Sequence, residues 1–198
     1  MLENASNNND NKNKVIILSD PSGSGKTTII KHLLKYFPEF EFSISATCRK
    51  PRQGETEGKD YYFLTPESFA KKIEEEAFLE WEEVYDGICY GTLKSEINRI
   101  WGNDKVVIFD VDVLGGMRLK EYFGSKALSI FVMPPSIEVL EARLRQRNTE
   151  TEEAILKRLS RSSLELQHAK HFDITIINDV LDTAVEQTKT NIQDFLKH

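Results

Sequence analysis

The sequence predicts an α/β fold, with a parallel sheet fed by a phosphate-binding loop, flanked by helices and interrupted by two appended segments. Three patterns carry that prediction. Val15-Ile16-Ile17-Leu18 is an all-apolar run that stops at Asp20-Pro21 and passes through a Gly/Ser-rich loop into Thr27-TIIKHLLKYF, whose apolar residues recur at helical spacing. Lys105-VVIFDVDV ends in two acids and Ala127-LSIFVMPP ends at prolines, and each precedes a helical pattern. Strands alternating with helices place a parallel sheet between helical layers, with ligands at the carboxyl ends of the strands.

The elements follow in order. Residues 1–13 are Asn-rich and poor in apolar side chains, which predicts a disordered tail. The opening MLENASNNNDNKNK lacks the apolar core of a signal peptide, so a cytoplasmic protein is expected. Residues 14–198 form one expected domain, with its core in 14–42, 101–135 and 169–198. Between these, residues 43–100 carry short alternating segments, Tyr61-YFL and Phe78-LEWEEVY, separated by turn-rich stretches such as Pro51-RQGETEG. They predict an inserted lobe with some antiparallel strand. Residues 136–168 are charged and helical, and Thr149-ETE reads as a capping box closed by Glu152.

Composition narrows the function. The 32 acids outnumber the 26 bases, giving a net charge of −6, so a small anion is a better partner than a nucleic acid. Cys48 and Cys89 show neither a disulfide framework nor zinc-ligand spacing, and no apolar run reaches the roughly 20 residues of a membrane span.

The stretch Leu18-SDPSGSGKTT-Ile29 matches G-x-x-x-x-G-K-[ST] in its second half, with Asp20 at the first glycine position. A strand entering such a loop at a helix N-terminus offers backbone N–H groups to phosphate, here from Ser22, Gly23, Ser24, Gly25, Lys26, Thr27 and Thr28. Lys26 can reach the β- and γ-phosphates of a nucleoside triphosphate, and the Thr27 hydroxyl can ligate Mg²⁺. The Asp20 carboxylate is expected either to turn away from the loop interior or to find a cation, and its charge to weaken nucleotide binding.

Phe42-SISATCRKPRQGETEGKDYYF, Phe78-LEW, Tyr90-Gly91-Thr92 and Phe109-DVDVLGG, in this order, resemble the guanylate kinase family over essentially residues 14–198. The resemblance implies ATP and GMP (or dGMP) as substrates with Mg²⁺, a GMP-binding lobe at 43–100 and a lid at 136–168. It also implies that Arg49, Arg52, Tyr61 and Tyr90 hold the GMP phosphate. Arg49 and Arg52 bring guanidinium forks suited to phosphate, and the tyrosines bring hydroxyl donors. Guanine presents N1–H and its 2-amino group as donors and O6 as acceptor, which suits the carboxylates of Glu80 and Asp112 and the hydroxyls of Ser45 and Thr92. By the same resemblance Asp110 sits near the metal and phosphates, acting partly through water, while Arg143, Arg147 and Arg158 close over the transferring phosphoryl group.

Besides Asp20, the chain departs from the family at Cys48, at Leu114 and in the segment Asp86-Gly87-Ile88-Cys89, which is one residue longer. Two other readings compete. One is a catalytically weak guanylate-kinase-like module that binds phosphopeptides; the other is a kinase of a phosphorylated sugar. The intact Lys26 and Thr27 argue against the first, and the predicted guanine-reading set argues against the second.

Overall fold

A computed structural model describes residues 13–85, 87–146 and 151–197, leaving out the side chain of Tyr85. Strand β1 (Val15–Ser19) is buried throughout and leads into helix α1 (Lys26–Tyr36) and edge strand β2 (Phe40–Phe42). The lobe follows as β3 (Ala46–Thr47), β4 (Tyr62–Phe63), α2 (Pro66–Glu74), β5 (Phe78–Tyr85) and β6 (Ile88–Leu93). Helix α3 (Lys94–Gly102) returns the chain to β7 (Val106–Val111), α4 (Val113–Phe123) and β8 (Ala127–Met133). Then come α5 (Ile137–Gln146), α6 (Glu152–Leu166), β9 (Ile174–Ile177) and α7 (Leu181–Lys197).

The main sheet runs β2-β7-β1-β8-β9, with every pairing parallel. Alternation along β1 supplies both core layers. Ile16 and Leu18 pack with Ile29 and Leu33 of α1 and Val185 of α7, while Val15 and Ile17 pack with Ile97 and Ile100 of α3 and Leu119 of α4. Each fully buried Ile or Leu contributes about 2 kcal/mol of transfer free energy. Helix α3, which the sequence reading assigns to the inserted lobe, thus covers the core sheet.

The lobe is a second sheet in the order β4-β3-β6-β5. The pair β5/β6 is antiparallel and sets Glu80 opposite Thr92. Glu96 of α3 fastens this lobe to the core: its carboxylate accepts from Ile44 N at 3.0 Å and Tyr62 Oη at 2.8 Å, and pairs with Arg99. Cys48 and Cys89 are free thiols beside the β3/β6 pairing, where the Cys89 N–H donates to Cys48 Sγ at 3.0 Å.

One expectation needs correction. Helix α6 is capped by Thr151, whose side chain accepts from Ala154 N, so the cap lies two residues after the expected Thr149, which falls outside the described residues. The sheet also has edge strands β2 and β9 that the sequence reading does not name. The expected tail at 1–13 lies outside the described residues except for Asn13. Among the described residues, no helix is long and apolar enough to cross a membrane.

Candidate active site

The carboxyl ends of β1 and β7, the N-terminus of α1, the lobe strands and α6 enclose a cleft of about 360 Å³. Its phosphate end follows from two glycines in the left-handed region, Gly23 at φ 106° and Gly25 at φ 96°. A Cβ on Gly25 would stand 2.4 Å from Asn178 Nδ2, so only glycine lets the loop close there. Gly25 caps α1 without a side-chain hydrogen bond, leaving the helix N-terminus open to an anion. Asp20 does not have a positive φ, so the first position of the pattern has no conformational need for glycine.

Ser22, Gly23, Gly25, Lys26, Thr27 and Thr28 line the cleft. Ser24 does not: it is buried, its hydroxyl donates to Pro21 O at 2.7 Å, and its carbonyl accepts from Asn178 Nδ2 at 2.6 Å. It shapes the loop. Asn178, which sequence reasoning missed, braces that loop from outside.

Lys26 Nζ lies 2.7 Å from Asp110 Oδ1, 3.0 Å from Asp20 Oδ1 and 2.7 Å from Val111 O. Asp20 has therefore found a cation, and the cation is the phosphate-loop lysine. Burial opposes charge on Lys26, but Asp110 and Asp20 outweigh it and hold the ammonium above its usual range. Burial pushes the Asp20 carboxyl up, with Lys26 pulling against it. Thr27 Oγ1 sits 3.4 Å from Asp110 Oδ2.

At the other end, Glu80 is 8 % exposed and accepts from Thr92 Oγ1 at 2.6 Å. Burial raises its pKa to about 7, with the Thr92 bond acting in the opposite direction. Thr92 is buried behind Glu80 and does not line the cleft, so its hydroxyl orients the carboxylate. Asp112 caps α4 by accepting from Gly115 N at 2.7 Å, and its second oxygen faces Arg161 at 3.4 Å. Gly115 keeps this corner open, for its Cβ would stand 2.9 Å from Glu80 Oε2 and 3.2 Å from Asp112 Oδ1. Ser45, Tyr61 and Tyr90 line the wall between the two ends.

Arg49 lies over the Tyr61 ring, 4.9 Å from its centroid, and donates from Nε to Tyr90 Oη at 3.0 Å. Its fork grips Glu55 bidentately at 2.6 and 2.7 Å, an arrangement that suits a phosphate equally well. Arg49 holds the Glu55 carboxyl down at about 2. Arg52 is exposed and does not line the cleft; its backbone N–H donates to Glu55 at 2.7 Å.

The arginines expected to form a lid separate. Arg158 reaches the phosphate loop, donating to Ser22 Oγ at 2.6 Å. Arg143 stands on the outer flank of the loop, donating to Asn178 O at 2.9 Å and to Ser24 O at 3.4 Å, and lines an adjoining groove instead of the cleft. Arg147 lies outside the described residues. Arg161, which sequence reasoning missed, enters the cleft one turn after Arg158 and meets Glu165 at 2.7 Å and Val84 O at 3.3 Å. The R-x-x-R spacing in the lid was a usable signal, since residues three apart share a helix face.

Comparison with known proteins identifies the family and the fold. The family model described as Guanylate kinase matches residues 12–195. A guanylate kinase of Porphyromonas gingivalis is 49% identical over 184 residues, covering 92% of this chain and 98% of the relative. One from Salinibacter ruber is 45% identical over 182 residues, covering 92% and 96%. The crystal structure of guanylate kinase from Anaplasma phagocytophilum superposes with a TM-score of 0.73 at 27% identity, covering 91% of this chain and 85% of that one. A match of this extent, over a parallel sheet that carries a phosphate loop at one end of its cleft and a buried carboxylate at the other, places the chain in the guanylate kinase family.

Proposed function

We propose that this protein transfers the γ-phosphoryl group of ATP to GMP or dGMP, giving ADP and GDP or dGDP. One observation carries the reading: a single cleft joins an open helix N-terminus beside Lys26 to the buried, Thr92-oriented carboxylate of Glu80. The first end fits a polyphosphate and the second fits the donor edge of guanine.

With GMP read by Glu80, Asp112 and Ser45, its phosphate lies against Arg49, Tyr61 and Tyr90 and points along the cleft toward the loop. An anionic oxygen of that phosphate attacks the γ-phosphorus of ATP. The new O–P bond forms as the bond to the β,γ-bridging oxygen breaks, and ADP leaves with that electron pair. No general base is required, because the attacking oxygen is already ionised. The protein supplies alignment and positive charge, from Lys26 and the loop N–H groups on the ATP side and from Arg49 on the GMP side, with Arg158 over the loop. The groove flanked by Arg143, Thr28 and Asp179 offers the adenosine a place on the side of the loop away from GMP.

Thr27 and Asp110 are hard oxygen donors set side by side at the phosphate end, and they fit Mg²⁺, which takes few protein ligands and fills its shell with water and phosphate oxygens. Bound there, with Asp110 acting through water, the ion would neutralise phosphate charge. The proposal carries with it a cytoplasmic site of action, where both nucleotide pools lie. No observation favours the phosphopeptide-binding alternative. Chromatography of a reaction with ATP, GMP and Mg²⁺ tests the reading: GDP and ADP should appear in equal amounts, and ADP without GDP would reject it.

A further inference from the structure

The three N–H donors of the Lys26 ammonium are all engaged, by Asp20, Asp110 and Val111 O. A phosphate oxygen can therefore bond Lys26 only by displacing one of them. Val111 O is a poor candidate, for it belongs to a 9 % exposed residue of β7 and its loss would leave a buried carbonyl unpaired. Asp110 also faces Thr27, and its place beside the phosphates is kept by the proposed metal. Asp20 has no such second task. Its side chain is 9 % exposed, lines the cleft beside Lys26, and occupies the position where the general pattern has glycine.

We propose that Asp20 is a positioning residue that holds Lys26 back from the phosphate cradle and so lowers the affinity of the loop for ATP and ADP. The carboxylate acts twice in the same direction. Before nucleotide binds it holds Lys26, so that phosphate must displace it, and in the complex it remains as a buried negative charge near the polyphosphate. Weaker retention of ADP is the functional consequence, which matters where product release limits turnover. The proposal rests on the reading of the loop as the ATP site.

Asp20→Ala tests it, since the backbone there needs no glycine and alanine removes the acid without adding chain flexibility. Calorimetric titration should show ATP·Mg²⁺ and ADP bound roughly tenfold more tightly than by the wild type, the loss of one charged competitor, with GMP binding to the separate end of the cleft unchanged. Asp20→Asn keeps the shape and one acceptor but not the charge, and should fall between the two; it also serves if the alanine variant does not fold. A purely structural role for Asp20 would weaken ATP and GMP binding together with thermal stability. Unchanged or weaker ATP binding in a folded variant overturns the proposal, whereas failure of the wild type itself to bind ATP would overturn the reading of the site.

Discussion

Glu80→Gln probes the proposed guanine end of the cleft through two independent readouts. In the ligand-free protein burial raises the Glu80 carboxyl from 4.5 to about 7, so the folded state binds this proton more tightly than the unfolded chain does. The cost is absent below pH 4.5, accumulates as pH rises to about 7, and is then constant at about 3 kcal/mol. Glutamine removes it while keeping the bond to Thr92. The variant should therefore gain thermal stability over wild type as pH rises from 5 to 8, by roughly 8 °C at the upper end for a chain of this length.

Binding runs the other way. Guanine offers two donors, and glutamine can present only one acceptor to them, so at pH 8 the KM for GMP should rise roughly thirtyfold, equivalent to about 2 kcal/mol. Because only the ionised carboxylate accepts both bonds, wild-type affinity for GMP should fall about tenfold from pH 8 to pH 6 through this group. The second ionisation of the GMP phosphate adds its own dependence near pH 6. The variant should retain only that phosphate component. Differential scanning fluorimetry and a coupled ADP-release assay, each run across pH, supply both readouts. An unchanged KM for GMP, or the same pH profile in both proteins, would refute the assignment.

Two further substitutions test the corners of the cleft. Gly115→Ala puts a methyl group 2.9 Å from Glu80 Oε2 and should raise the KM for GMP about tenfold while leaving the KM for ATP and the melting temperature nearly unchanged; equal effects on both substrates would mean a general disturbance of α4. Asn178→Ala removes the 2.6 Å brace on Ser24 O and should cost about 2 kcal/mol, lowering Tm by roughly 6 °C, and raise the KM for ATP but not for GMP. A stable variant with normal ATP kinetics would show that the loop holds its shape without the brace.

How far the sequence revealed these features depended on where their causes lie. Strands β1, β7 and β8 are buried on both faces, so each stands out as a continuous apolar run. The edge strands lack that signature: β2 is Phe-Glu-Phe, and β9 leaves Ile177 56 % exposed. The phosphate loop and the Glu80, Thr92 and Asp112 set were legible because local chemistry and family pattern agree there. The order in which they act was not. That Thr92 serves Glu80 follows from the β5/β6 register, and that Ser24 serves Pro21 and Asp20 takes hold of Lys26 follows from how the loop folds back on itself, none of which residue spacing alone discloses. Arg161 could have been found from its three-residue spacing to Arg158 on α6, but it was passed over among the other charges of that helix.

In the proposed function, one cleft reads guanine at one end and delivers the phosphoryl group of ATP at the other. ADP release at fixed ATP and Mg²⁺ across GMP, dGMP, AMP, UMP and CMP separates this function from its alternatives. GMP and dGMP should be turned over, and AMP should be disfavoured by on the order of 10⁴-fold in kcat/KM, because adenine places an unprotonated N1 against the Glu80 carboxylate. Comparable turnover of AMP and GMP would contradict the account.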